Sequence, residues 1–442
     1  MNWSKSPPTS PASSLRAEQK AARRRLIIAG IVGNALEWYD FAIYGYFAAI
    51  IGRHFFPARD VVGATINAYG AFAAGFLMRP IGGLLFGHIG DRVSRRMALM
   101  LSVLTMAVPT FLIGALPDYA RIGLAATVTM VVLRLIQGLS VGGEYPTSVI
   151  LLVEWAEPRR RGFMGSWSVF GAIAGILLGS AAAALVNAAF SPSEVEGWAW
   201  RIPFLCGLVV GLLGFYIRRH IADAPMPAVQ REKLAGLPVV EAFRGHWWEM
   251  LQAAAWAMLN GLSFYMIFVY GVTYLQQAAH VSARQALNIN TANMLVMLLL
   301  IPFAGAFSDR VGRKPLLAGS ALGLAVFTWP LFWMMNRQDW TVILLGQLGF
   351  AVLIGLFVAV GAPMMAQIFR PEVRCSALAI GYNVCLTVFG GTTPVVSAYL
   401  VARTNNNFAP AFYLTGVAVV SSALILTMKE TAEIERRRSA SE

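Results

Sequence analysis

Charge is what this sequence has least of. Only 13% of its 442 residues are Asp, Glu, Lys or Arg, about half the share in an ordinary soluble domain. Cysteine is scarce too: Cys206, Cys375 and Cys385 all lie in apolar tracts, so no disulfide framework is encoded. The five histidines, at positions 54, 88, 220, 246 and 280, lack the spacing of a zinc site. No Walker loop or dinucleotide fingerprint is present, so no cofactor is expected and any driving force must be an ion or solute gradient. The first residues form no apolar signal core; they are polar and Pro/Ser-rich to about Ser14, then basic through Arg23, Arg24 and Arg25.

What replaces charge is hydrocarbon. Hydrophobic residues make up 57% of the chain, and the mean hydropathy is +0.61. A membrane-crossing helix needs about 20 apolar residues. Cutting at polar and Gly/Pro-rich breaks leaves tracts near 27–51, 62–87, 97–116, 122–153, 164–190, 200–217, 249–277, 288–307, 315–335, 340–368, 376–402 and 408–428. The pattern predicts an all-α polytopic membrane protein of twelve spans. Its parts are an N-terminal tail (1–26), a six-helix bundle (27–217), a central loop (218–248), a second bundle (249–428) and a C-terminal tail (429–442).

The formal net charge is +13, and its placement explains it. If the N-terminus is cytoplasmic, the inner segments hold Arg92/Arg95/Arg96, Arg159/Arg160/Arg161, Arg310/Arg313/Lys314, Arg370/Arg374 and both tails. The outer loops hold only Arg53, Arg59, Arg121, Arg201, Arg284, Arg337 and Arg403. This is the positive-inside pattern, so the basic excess reports topology, both termini are expected in the cytoplasm, and no nucleic-acid partner is expected.

The two halves repeat one another. Gly87-His-Ile-Gly-Asp91-Arg92-Val-Ser-Arg95-Arg96 follows the second span, and Gly305-Ala-Phe-Ser-Asp309-Arg310-Val-Gly-Arg313-Lys314 follows the eighth. Fainter counterparts, Pro158 to Arg161 and Pro371 to Arg374, follow the fourth and tenth. Two related bundles predict a cavity at their interface near mid-membrane, the arrangement of alternating access.

Charges within spans are costly and point to function. Asn34, Glu37, Asp40 and Tyr44 recur at three- and four-residue steps on one face of the first span, and Arg134 and Gln137 share a face of the fourth. Asp40 and Arg134 stand at similar depth and are expected to pair. Protonation of Asp40 would then release Arg134, a minimal device for proton coupling; a permanent structural bridge is the alternative. Glu37 is a second proton carrier or else an interhelical anchor. Arg79, in Gly75-Phe-Leu-Met-Arg79-Pro-Ile-Gly-Gly83, offers a planar fork for a substrate carboxylate or a structural pairing. Trp38, Tyr44, Tyr69, Tyr270 and Tyr274 could cage an ammonium group, with Gln137 and Asn383 as polar contacts; packing is the alternative for each. Gly171, Gly175 and Gly179 read as close helix packing.

The paired Asp-Arg loops resemble the signature of the major facilitator superfamily. Gly33 to Phe41, Arg79 to Gly83 and Arg134 to Glu144 are similar to its metabolite:proton symporters, which carry proline, betaine, 2-oxoglutarate, shikimate and citrate-like acids. The resemblance implies a monomeric bacterial inner-membrane importer exchanging only protons and a small solute with its surroundings. It also implies gating by Asp91, Arg92, Arg95, Arg161, Asp309, Arg310, Arg313 and Arg374. The expected function is proton-coupled import of a small carboxylate-bearing metabolite. The alternative is proton-coupled uptake of a zwitterion such as proline or betaine; drug efflux and an intramembrane enzyme are remoter readings.

Overall fold

The computed structural model describes residues 11–58, 61–92, 95–142, 144–154, 156–220, 245–369 and 374–431. The expected central loop and the chain ends therefore lie largely outside the described residues. Among the described residues there is no strand, and every one of the twelve apolar tracts is helical. Eight spans are long and apolar enough by themselves to cross a bilayer. The other four are the first three and the sixth.

The first span is Pro11–Tyr46 followed by Ala48–Phe55, so its helix starts well inside the segment expected to be a tail. The second is Val61–Leu77 and Arg79–Arg92, the third Arg95–Ala115, and the fourth Leu124–Val141 and Glu144–Glu154. Arg161–Ala189 and Ile202–His220 complete the first half. In the second half, the seventh span runs Trp247–Phe264, then a π-helical turn Tyr265–Tyr270, then Gly271–Gln277. Ala283–Val311, Arg313–Met335 and Trp340–Ile368 follow. The eleventh span has its own π turn, Leu386–Gly391, between Arg374–Cys385 and Thr393–Thr404, and Ala409–Leu426 is the twelfth. Local chemistry starts several of these. Ser282 and Gln285 form a capping box before the eighth span, and the Asp339 carboxylate accepts from Thr341 and Val342 N–H at the start of the tenth.

Packing repeats with a step of six spans. The first packs on the fifth and the seventh on the eleventh; the third packs on the sixth and the ninth on the twelfth. Between the halves, the fifth packs on the eighth and the second on the eleventh, a pair of contacts that the repeat exchanges. Gly171 and Gly175 allow the first and fifth spans to touch: a Cβ on Gly175 would stand 2.2 Å from the Ala35 carbonyl oxygen. The third, sixth, ninth and twelfth spans turn large apolar side chains outward, including Leu112, Val209, Leu213, Val326, Trp329, Phe412 and Val420. Such a belt needs a hydrocarbon surrounding, and this leaves the remaining spans to build the interior.

Candidate functional site

An interior cavity lies where the halves meet, lined by Trp38, Tyr145, Ala172, Asn260, Tyr265 and Tyr382 with apolar neighbours. The first and fourth spans thus face the seventh and eleventh across it. Tyr382 stacks between Tyr145 (centroids 5.3 Å apart) and Trp256 (5.7 Å), and Trp38 meets Tyr145 edge-on. The Trp38 and Trp256 indole N–H groups and the Tyr265 hydroxyl are buried without a hydrogen-bond partner. Buried aromatic donors ordinarily find one, so these polar edges suit a guest.

Arg79 stands behind this aromatic wall, fully buried. Its guanidinium carbon is 5.6 Å from the Trp38 ring centroid and 5.3 Å from that of Phe76. Nε donates to the Asn383 carbonyl oxygen at 3.4 Å, while Nη1 and Nη2 make no hydrogen bond. It lies close enough to act electrostatically on Tyr145, Tyr265 and Tyr382. Glu37, also buried, acts on Tyr265 and Tyr382 from the other side of the charge balance. Asn383 is further tied to the second and fourth spans, donating to the Gly142 carbonyl at 2.6 Å.

Asp40 and Arg134 do not form the expected ion pair. Three rings intervene: the Arg134 guanidinium lies 4.3 Å from the centroids of both Phe41 and Tyr44 and 5.2 Å from that of Phe72. Its Nη1 donates to Gln137 at 2.7 Å, and Gln137 Nε2 donates to the Thr110 hydroxyl at 2.7 Å. Thr110 in turn stands beside Asp40 as a hydrogen-bonding neighbour. The relay from Arg134 through Gln137 therefore ends on Thr110, whose hydroxyl donates to the Met106 carbonyl at 2.9 Å, and Asp40 Oδ1 has no partner.

Other expected contacts lie elsewhere. Tyr44 faces Arg134 and donates to the Ala68 carbonyl at 3.0 Å. Tyr69 bonds Thr273 at 2.9 Å and meets Tyr270 edge-on, while Tyr274 packs on Phe332. These four line a closed seam between the halves or their cores, and Gln137 belongs to the relay rather than the cavity. Tyr145 and Asn260 are cavity groups that the sequence reading did not select; Tyr265 and Tyr382, two further aromatics of the spans, also line the cavity, with Trp256 packed on Tyr382. A cluster of aromatic and amide side chains marks the seventh and eleventh spans beside Asn383.

The basic-loop end is closed by Asp309. Its carboxylate accepts from the Gly162 and Phe163 N–H groups of the fifth span, both at 2.8 Å, and pairs with Arg313 at 3.0 Å. Arg313 also donates to Gln367 and Thr431, and Glu430 accepts from the Arg313 and Lys314 N–H groups. Arg310 is exposed and Arg161 partly buried. Asp91 and Arg92 end one helix, and Arg95 and Arg374 open two others; their side chains lie outside the described residues. At the opposite end, Arg284 donates to the Asn187 and Ala188 carbonyls, and Ser180 bonds Thr291. Among the described residues, contacts between the halves thus lie towards both ends of the cavity.

Comparison with known proteins agrees with this architecture. Residues 26–236 match the family described as sugar (and other) transporter, and residues 253–442 match the Major Facilitator Superfamily. A glycine betaine/proline/ectoine/pipecolic acid transporter of Dickeya dadantii is 36% identical over 92% of this chain and 84% of its own length. The proline/betaine transporter of Escherichia coli K12 is similar to the same degree. Among solved structures, a proton:xylose symporter bound to 6-bromo-6-deoxy-D-glucose superposes with a TM-score of 0.76. It is 18% identical, and the match covers 93% of this chain and 97% of that one. With twelve helical spans in two repeated halves around a central cavity, the chain belongs to the major facilitator superfamily of membrane transporters.

Proposed function

We propose that the chain imports a small zwitterion of the proline or betaine kind, coupled to protons, across a bacterial inner membrane with both termini in the cytoplasm. The observation that carries this reading is the charge balance at an aromatic cavity. Arg79 stands behind its aromatic wall and Glu37 acts on the Tyr265 and Tyr382 rings, one basic and one acidic group near the cavity. A zwitterion adds no net charge to such a site. A dicarboxylate would bring surplus negative charge into a low-dielectric interior, at a cost of several kcal/mol. Ring faces of Trp38, Tyr145 and Tyr382 suit an ammonium group by cation–π attraction, and the unbonded Arg79 fork suits the carboxylate. The proline and betaine transporters among its relatives support the same substrate class, so the zwitterion ranks above the organic acid expected first from the sequence. Asp40 and Glu37 are the proton-carrying groups in this reading, with Arg134 as the charge that Asp40 answers.

The test is thermal unfolding of the purified full chain with glycine betaine, proline, 2-oxoglutarate, succinate, citrate or shikimate. A bound ligand at about 100 times its Kd stabilises by about 2.7 kcal/mol, so betaine or proline is expected to raise Tm by several degrees and the acids are not. Uptake into proteoliposomes should then rise with an inwardly directed proton gradient. Stabilisation by a di- or tricarboxylate alone would overturn the substrate class, and gradient-insensitive uptake would overturn the coupling.

A further inference from the structure

Two prolines open the backbone of the first half beside the cavity. Proline has no N–H to give the carbonyl four residues earlier in a helix. Pro80 therefore leaves the Phe76 carbonyl, and Pro146 the Gly142 carbonyl, without a helical donor. Both carbonyls are satisfied from the other half: the Thr387 hydroxyl donates to that of Phe76 at 2.8 Å, and Asn383 Nδ2 donates to that of Gly142 at 2.6 Å. We propose that Asn383 and Thr387 form a latch between the halves, seated on these two proline-opened carbonyls, and that Asn383 ties the latch to Arg79 as a positioning residue; the part played by Arg79 rests on the substrate reading above.

Three observations support it. First, the eleventh span presents both donors together. Asn383 and Thr387 are one helical turn apart on one face, and both are buried. The span lies hard against the second, where a Cβ on Gly391 would stand 2.6 Å from Phe76 Cβ. Phe76 is about midway between the ends of the second span at Val61 and Arg92. Tyr382 and Leu386, neighbours of the two donors, line the cavity, so the latch sits beside it at mid-depth. Second, Thr387 departs from local habit. A threonine inside a helix commonly returns its hydroxyl to a carbonyl three or four residues back, as Thr110, Thr328, Thr392 and Thr393 do. Thr387 crosses the seam instead. Third, chemistry fixes the Asn383 amide. Arginine only donates and a carbonyl only accepts. The amide oxygen must then face Arg79 Nε, 3.4 Å away, and the nitrogen must face Gly142.

A proline break supported from its own half would be permanent. These donors belong to the half that moves in alternating access. Parting of the second and eleventh spans strips both carbonyls at once, and an unpaired carbonyl is costly in a dry interior. The seam therefore has two settings, closed on Asn383 and Thr387 or opened to water. The same parting takes the Asn383 oxygen away from Arg79, so the guanidinium keeps its fixed Nε contact only while the latch is shut.

The experiment is spin-label distance measurement on the full chain, with labels at exposed positions towards both ends of the seam: Val62 with Tyr399, and Leu85 with Val384. Thr387→Val keeps the shape and removes the hydroxyl. It should raise the population of the longer distance about 3- to 10-fold in one pair or both, the factor of one hydrogen bond, and Thr387→Ser should restore the original distribution. Pro80→Ala returns an N–H to the Phe76 carbonyl, so in that background Thr387→Val should have a smaller effect. Unchanged distances in Thr387→Val, or an equal effect with and without Pro80, would overturn the latch. Asn383→Leu should open the seam similarly and weaken binding of betaine or proline about tenfold more than Thr387→Val does, because Asn383 alone of the two holds Arg79. Equal losses of affinity would overturn the tie to Arg79. The distances need no substrate, so an unmodified chain that binds neither solute would strike the functional reading alone.

Discussion

A guanidinium held inside a bundle with two of its nitrogens unbonded is expensive to keep, and Arg79 is kept that way with the Trp38 and Phe76 rings against it. Its planar fork is what a lysine cannot reproduce. Arg79→Lys is expected to weaken substrate binding by about 10- to 100-fold while leaving Tm nearly unchanged, because a charge-assisted bond is worth about 1.5–3 kcal/mol. Equilibrium binding of labelled betaine or proline checks this, and unaltered affinity would make Arg79 a packing residue. The same scale shows where sequence reasoning stops. Spacing along the first and fourth spans placed Asp40 and Arg134 at similar depth. Their separation depends on azimuth, with Phe41 and Tyr44 presenting their faces to the guanidinium, and a single sequence does not encode how two helices are rotated about their axes.

Elements explain the next layer. The second and fourth spans touch backbone to backbone: a Cβ on Gly138 would stand 1.8 Å from the Gly75 carbonyl oxygen, and one on Gly142 would stand 1.9 Å from that of Arg79. Arg79 and Arg134 are therefore positioned by glycines. Gly138→Ala must push these spans apart at a cost of about 3 kcal/mol or more, expected as a large fall in Tm and loss of binding. Gly70→Ala, with nothing within 4 Å of the new methyl, is expected to be neutral or to gain up to about 1 kcal/mol of helix propensity. Equal effects of the two would break the argument. The twelve apolar tracts were legible because bilayer thickness sets their length, and the glycine spacing of the fifth span because close packing requires it. The seventh span divides its tyrosines: at about 100° per residue Tyr270 and Tyr274 lie on the side of the helix away from Tyr265, and a π turn spans Tyr265–Tyr270. Tyr265 faces the cavity; Tyr270 and Tyr274 do not.

At the scale of the whole molecule, the two halves are held together differently at each end. Among the described residues, Asp309 joins the halves at the basic-loop end: its carboxylate satisfies two first-turn N–H groups of the fifth span and faces Arg313. Asp309→Asn removes an acceptor and the charge, which is expected to cost that closure about 1–3 kcal/mol and shift the population about tenfold or more toward a state open at this end. Spin-label distances between the fifth and eighth spans would lengthen on that side only; unchanged distances would show that closure does not depend on Asp309. Glu430 adds a mechanical side to this lock. It grips the first N–H groups of the ninth span while its neighbour Thr431 accepts from the Arg313 side chain that holds Asp309. Residues 430 and 431 are thereby geared to the closure between the halves: a shift of the Asp309–Arg313 pair is expected to disturb their contacts as well.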